Sequence, residues 1–304
     1  MRQWEMGTGN LLKAKIRTNS FHAVILLGLG YGLGCTIGCG LVCGPNYGAA
    51  FASDATPISP ARLLEVTARG KQLAAYHKAA TEATGVFWKT FPEAMKAGSY
   101  RLILADKTAK GWVVWFGTLS EKADKFNAVY EAIEDKRSGK FTAKKCKPGT
   151  FDSGTLLDQA KAVQVCLASF PSRERYNNYA ILPAKEHSIY VYIYPGQSVA
   201  GVYPFGDDVR YTVSTDGCII TETRRMHKSL IQNPPLPKGT TPTMGVHTAV
   251  MDDLPEDTDV LHVLVRKPSM GEMIATPHFV YEIDTDGSIK YLGTVEKVLK
   301  KQSK

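Results

Sequence analysis

The sequence predicts an α+β fold, in which a helical first half packs on a largely antiparallel β-sheet, arranged like a sandwich and formed mainly by the second half. Three observations predict it. Apolar residues recur at helical spacing between residues 59 and 85, alternating apolar runs typical of strands dominate the chain beyond Tyr176, and two Asp-Gly turns separate such runs. Amphipathic helices and a one-sided sheet bury their apolar surfaces by packing on each other.

The first 52 residues predict a signal peptide. A basic segment, residues 13–17, precedes a stretch from 18 to 53 that contains no Lys, Arg, Asp or Glu. A Gly-Pro pair at 44–45 breaks the apolar run, and Ala-Phe-Ala at 50–52 has the small-x-small pattern that signal peptidase recognises. We therefore predict cleavage after Ala52 and export through the inner membrane of a bacterial-type cell, to the periplasm or the medium.

Two alternatives keep this segment in the mature protein. About 20 apolar residues also suffice for an uncleaved membrane anchor, although the many glycines lower helix propensity and favour cleavage. Lipidation is the other alternative, and the residues before Cys35 and Cys39 match a lipoprotein signal poorly. Helical spacing would align Cys35, Cys39 and Cys43, but a segment that is removed supplies no folded metal site.

The charge of the mature chain predicts no nucleic-acid partner. Without residues 1–52, the chain keeps 33 basic and 28 acidic residues, a net charge of +5. Nucleic-acid binders concentrate such charge on one face, whereas the basic residues between 136 and 147 are expected to form a solvated loop. The sequence identifies no partner, predicts no cofactor, and implies membrane contact only through an uncleaved N-terminal segment.

The mature chain divides by composition into a helix-rich region, 53–175, with one β-hairpin, and an antiparallel β-rich region, 176–304. The two regions are compatible with a single domain. In the first region, Ser59-Pro60 begins a helix that continues to Gly85. A hairpin over 101–116, a helix over 120–134 and a helix over 156–167 follow in the predicted order.

The second region begins with the most regular strand of the sequence. Between Ser188 and Tyr194, isoleucine and valine alternate with tyrosine, so that Tyr190, Tyr192 and Tyr194 share one face. Such an aromatic face is a candidate ligand-binding surface for sugar rings or peptide. The alternative, that helices of the first half cover this face, is favoured by the predicted architecture.

Two hairpins with the same Thr-Asp-Gly turn complete the predicted sheet. One pairs residues 209–213 with 218–221, and the other pairs 279–283 with 288–291. A proline-rich loop at 233–242 separates them. Three cysteines belong to the mature chain: Cys166 is predicted to be a buried thiol within a helix, and Cys146 and Cys218, beside turns, are the candidate disulfide pair.

Standard catalytic signatures are missing from the sequence. It contains no Gly-x-Ser-x-Gly, Walker A, His-Glu-x-x-His or Ser-x-x-Lys motif, and Cys-x-x-Cys is absent after residue 52. We therefore expect an envelope protein that acts as a binding or structural module more than as a standard enzyme.

The densest group of titratable residues lies between Gly245 and His262. Its candidates for catalysis are His247, His262, Asp252 and Asp259. If 245–251 and 259–266 are antiparallel strands, His247 lies opposite His262 with Cβ atoms about 5 Å apart. That pair with a carboxylate gives the alternative function, a metal-assisted hydrolase. Packing of the histidines, with no metal, is the simpler interpretation.

Overall fold

The structure, a computed structural model, describes residues 56–96, 98–170, 176–181, 187–232, 239 and 243–302. The predicted signal peptide and most of the proline-rich loop lie outside these residues. Residues 54–304 form a single unit. Among the helices that the structure describes, none is both long and apolar enough to cross a membrane.

The long first helix begins where the sequence predicts it. Ser59 is its N-cap and accepts a 3.3 Å hydrogen bond from the Arg62 backbone N–H, and proline follows at the first helical position. The helix over 156–167 is also confirmed. The described helices are α1 (Pro60–Thr90), α2 (Pro92–Lys96), α3 (Thr155–Ser169), α4 (Asp257–Val265) and α5 (Val295–Gln302).

The first half contains an antiparallel sheet as well as helices. Its first four strands pair in sequence order, and the fifth pairs with the third. The predicted hairpin at 101–116 forms its first two strands. The strands are β1 (Leu102–Thr108), β2 (Gly111–Leu119), β3 (Phe126–Asp135), β4 (Lys140–Lys145) and β5 (Phe151–Asp152).

The predicted helix at 120–134 is wrong, because most of this segment is strand β3. Its pairing with β2 shifts register: Phe116 lies opposite Tyr130, whereas Gly117 lies opposite Ala128. Val129 is therefore the extra residue of a β-bulge. The bulge interrupts the two-residue alternation, which leaves apolar residues three and four apart and imitates a helical pattern.

A second antiparallel sheet contains the predicted tyrosine strand. Its strands, in spatial order, are β10 (Ile220–Arg225), β9 (Val209–Ser214), β7 (Ser188–Pro195) and β6 (Tyr176–Ile181). The predicted hairpin around Asp216-Gly217 joins β9 to β10. Gly217 has φ +74°, which a glycine adopts without strain. Two short strands, β8 (Phe205–Gly206) and β11 (Leu230–Ile231), pair with each other separately from this sheet.

The last sheet combines one parallel and two antiparallel pairs. β12 (Met244–Thr248) runs parallel to β13 (Gly271–Ala275). β13, β14 (Phe279–Ile283) and β15 (Ile289–Thr294) are antiparallel neighbours, so the second predicted hairpin is confirmed. Helix α4 makes the crossover between β12 and β13 that a parallel pair requires.

The predicted strand at 259–266 is therefore wrong, and so is the cross-strand pairing of His247 with His262. Helix α4 occupies most of this segment, and the Asp259 carboxylate accepts a 2.8 Å hydrogen bond from the Glu256 backbone N–H at its N-terminus. Val260, Leu261 and Val263 are all buried. A helix that is buried all round has no apolar stripe, so its sequence does not show helical periodicity.

Three apolar clusters fill the unit. Helix α1 packs on the first sheet and on the tyrosine face of β7, which confirms an α+β architecture with helices on antiparallel sheets. Helix α3 covers the opposite face of β7, where Ile189, Val191 and Ile193 are buried. Helix α4 and the start of α1 cover the last sheet.

The three described cysteines are free thiols in the structure. Cys166 is buried, as predicted, and burial raises its pKa to about 12. Cys146 is partly buried and Cys218 is exposed. The structure contains no bond between them, and a Cys146–Cys218 disulfide stays a prediction.

Candidate metal centre

The N-terminus of α4 buries three carboxylates that point to different partners. Glu256, Asp257 and Asp259 are each at most 3% exposed. A buried carboxylate requires compensating charge or hydrogen bonds. The three groups satisfy this requirement in separate ways, and only one of them lies among histidines.

Asp259 lies between two imidazole rings. Its Oδ1 atom is 3.0 Å from Nε2 of His227 and 3.2 Å from Nε2 of His247. His227 follows β10, His247 belongs to β12 and Asp259 to the first turn of α4, so three separate elements bring the groups together. All three side chains are buried.

A carboxylate holds the far nitrogen of each ring. Nδ1 of His227 lies 2.8 Å from Oδ1 of Asp208, and Nδ1 of His247 lies 2.9 Å from Oε1 of Glu272. Since a carboxylate only accepts, each Nδ1 carries the proton and each Nε2 is left to face Asp259. We call these five residues, Asp208, His227, His247, Asp259 and Glu272, the Asp259 centre.

The inner atoms of the Asp259 centre converge, with both Nε2 atoms at ion-pair distance from Oδ1 of Asp259. Nε2 of His227, Nε2 of His247 and Oδ1 of Asp259 all lie within 4.8 Å of one another. Ligand atoms about 2.1 Å from a tetrahedral ion are about 3.4 Å apart. The distances of 3.0 and 3.2 Å to Asp259 are close to that separation.

The protonation of the rings follows from the surrounding charges. Burial lowers the pKa of both histidines, but Asp259 and the outer carboxylates outweigh it and raise that of His227 to about 11 and that of His247 to about 9. Burial raises the pKa of Asp259, but the two imidazoles outweigh it and hold that pKa far below its usual range. In the metal-free protein the rings are therefore cationic at neutral pH.

The excess negative charge of the Asp259 centre can be neutralised by two protons on the imidazoles or by one divalent ion. Asp208, Asp259 and Glu272 carry three negative charges, and Arg266 pairs with Glu272 at 2.5 Å. Two charges remain for the rings to neutralise. Two imidazolium groups do so, and so does one divalent cation bound by neutral rings.

His262, a predicted metal ligand, belongs to the surroundings of this centre. Its Nε2 accepts a 3.2 Å hydrogen bond from Arg266, and its ring packs on Phe205 at a centroid distance of 4.3 Å. Burial, followed by the charge of Arg266, lowers its pKa to about 4, so the ring is neutral. Phe205 also contacts His247, with centroids 4.9 Å apart, and thus lies between His262 and the centre.

The other predicted carboxylate, Asp252, is directed elsewhere. Nη2 of Arg224 donates to Asp252 at 2.9 Å and to Glu256 at 2.6 Å. Burial raises the pKa of Glu256 to about 7. Of the four predicted catalytic residues, the structure brings His247 and Asp259 together and places Asp252 in this separate ion pair.

The predicted tyrosine face is covered by helix α1. Tyr190, Tyr192 and Tyr194 are each at most 8% exposed. The hydroxyl of Tyr192 donates to Asp257 at 2.9 Å, and that of Tyr194 lies 2.9 Å from Nδ1 of His77. Tyr194 also lines a cavity between α1 and α4.

Sequence reasoning missed three members of the Asp259 centre: Asp208, His227 and Glu272. They lie 19 to 32 positions along the chain from the residues that they contact in the centre, so the local density of titratable residues does not identify them. The one available signal is His227 itself, a histidine two residues after the end of a hairpin strand, β10.

Comparisons of the chain with protein-family models, with curated proteins and with solved structures found no match in any of the three.

Proposed function

We propose that this chain is a metal-dependent hydrolase with one divalent ion, of the Zn²⁺ type, bound by His227, His247 and Asp259. The convergence of the two Nε2 atoms and Oδ1, with each Nδ1 held by a carboxylate, carries the proposal. Carboxylate–histidine–metal arrangements of this kind orient the rings and increase their basicity.

The number of protein ligands favours catalysis over a purely structural role. Structural zinc sites usually have four protein ligands, whereas catalytic sites have three and leave one position for water or substrate. The described residues supply three. A bound divalent ion acts as a Lewis acid and lowers the pKa of water, which is the chemistry of hydrolysis.

The remaining residues of the site support that chemistry. Asp208 and Glu272 hold the ring orientation, and Arg266 balances the charge of Glu272. Phe205 shields the centre with an apolar ring, which strengthens electrostatic interactions behind it.

Reconstitution tests this function. We expect chelator-treated protein to hydrolyse at least one of an aryl ester, an aryl phosphodiester and an unstructured polypeptide only after Zn²⁺ is restored. His227→Ala should abolish that activity, while His278→Ala, which removes a more exposed histidine paired with Asp253, should not. Inactivity of zinc-loaded protein against all three substrates would contradict a hydrolase and leave a structural ion.

Metal affinity should depend on pH. Since the pKa values of His227 and His247 are raised to about 11 and about 9, metal uptake near pH 7 must displace close to two protons. We expect affinity to rise steeply from about pH 6 to pH 9, because less proton displacement is needed at higher pH. Calorimetry in two buffers of different ionisation enthalpy counts the protons. Release of none would contradict the raised pKa values.

We also propose export to the cell envelope, because of the sequence pattern in residues 1–52. The expected mature N-terminus is Ser53, and N-terminal sequencing of protein made in a bacterial host measures it. A mature chain that keeps residues 21–43 and sediments with membranes would favour the anchor instead.

A further inference from the structure

A cavity of about 730 Å³ lies between α1 and α4, outside the ligand set of the Asp259 centre. Its size is within the range of pockets that bind small molecules. Its walls are mainly apolar and aromatic, with Leu261, Leu264 and Val265 from α4, Tyr203 from the preceding loop and Phe205 from β8. Surfaces of this kind favour the apolar body of a ligand.

Among the charged groups that line the cavity, one cation has no acidic partner among the described residues. Two of its acids pair with two of its lysines: Glu82 with Lys78 at 3.1 Å, and Asp286 with Lys71 at 3.7 Å. The remaining acid, Asp208, is paired with His227 of the Asp259 centre. Lys267, at the end of α4, is exposed and has no acidic partner among the described residues.

The two histidines of the cavity add no charge. Burial lowers the pKa of both His77 and His262 to about 4. His77 contacts Tyr194 through Nδ1, and His262 accepts from Arg266 through Nε2. Each ring therefore keeps a second nitrogen for a neutral hydrogen bond, and the positive charge of the cavity is that of Lys267.

We propose that this cavity binds a small apolar molecule with a single carboxylate, the carboxylate pairing with Lys267 and the apolar body lying against α4 and Phe205. The complementarity is between one exposed cation that has no acidic partner among the described residues and walls that are mainly apolar. The assignment does not require the metal, because Lys267 belongs neither to the ligands nor to the outer carboxylates of the Asp259 centre.

A matched pair of probes tests the assignment. 1-Naphthylacetate carries the carboxylate, and 1-naphthylacetamide has the same ring system without the charge. We expect calorimetry or fluorescence titration to show the acid binding about tenfold more tightly, since a charge-assisted hydrogen bond contributes about that factor. Lys267→Met should remove the preference by weakening the acid alone. Lys144→Met, which removes the same charge from a pair with Glu131 outside the cavity lining, should preserve it.

The titrations are made with metal-free and zinc-loaded protein, so that failure of the metal proposal does not decide this one. Equal affinity for the two probes, or binding of neither, would overturn the assignment. A preference that survives Lys267→Met would also overturn it, and if that preference appeared only with zinc, the carboxylate would lie on the metal.

Discussion

His227→Ala abolishes stoichiometric zinc binding on this account. In four-ligand structural sites the apparent binding free energy is about 10–16 kcal/mol, so one ligand contributes about 3 kcal/mol and its loss lowers affinity about 10²- to 10³-fold. His227 supplies one of the three converging atoms, at 3.0 Å from Asp259. Competition with a fluorescent chelator measures the change.

Three further variants separate the members of the site by their distance from the ion. Asp208→Asn keeps the shape of the side chain that orients His227. It should lower zinc affinity about 10- to 100-fold, the usual effect of changing a residue that holds a ligand. His262→Ala and His278→Ala should leave affinity within about twofold, since neither residue belongs to the ligand set. Loss of zinc in His262→Ala, but not in His227→Ala, would return the site to the histidine pair predicted from sequence.

Asp257→Ala should lower the free energy of unfolding by about 3–5 kcal/mol, the cost of removing one partner from a buried ion pair. Asp257 is fully buried and holds two arginines: Arg69 Nε lies 3.0 Å and Arg210 Nη1 2.6 Å from its Oδ2 atom. Tyr192 donates to the same oxygen at 2.9 Å. These contacts join α1, β7 and β9 to α4, so the substitution leaves buried cations without a counter-charge. Guanidinium denaturation measures the loss.

Asp252→Ala is the matched control for Asp257→Ala. It removes a carboxylate that also pairs with an arginine, Arg224, but its side chain is 42% exposed. Exposed ion pairs contribute about 0–1 kcal/mol, so the unfolding midpoint should move little. Equal destabilisation by the two substitutions would show that burial of Asp257 does not determine its contribution.

Local sequence patterns predicted the elements that depend on local chemistry. Ser59-Pro60 marked the start of α1, the alternation of residues 188–194 marked β7, and the two Asp-Gly turns marked both hairpins. In each case the capping residue, the side-chain period or the turn lies within the segment itself. No distant contact is needed to choose the structure.

The two errors arose where tertiary contacts determine the pattern. In β3, the bulge at Val129 shifts the register with β2 and interrupts the two-residue alternation of apolar side chains. In α4, burial on all sides removes the polar face by which a surface helix is recognised. The strand interpretation of α4 then produced a His247–His262 pair that the helix separates.

Local sequence patterns identified two of the three proposed metal ligands, and the third depends on tertiary contacts. His247 and Asp259 lie 12 positions apart in an acidic, histidine-containing segment, so composition identified them. His227, which follows β10, and Glu272, in β13, belong to other elements of the fold. Their role follows from sheet topology and the α4 crossover, which the sequence pattern did not give.

Anomalous diffraction from crystals grown with zinc tests the metal centre most directly. We predict one zinc-specific peak about 2.0–2.2 Å from Nε2 of His227, Nε2 of His247 and Oδ1 of Asp259, with both Nδ1 atoms still on their carboxylates. Zinc-equilibrated crystals with no peak among these atoms, and with both imidazoles hydrogen-bonded directly to Asp259, would contradict it.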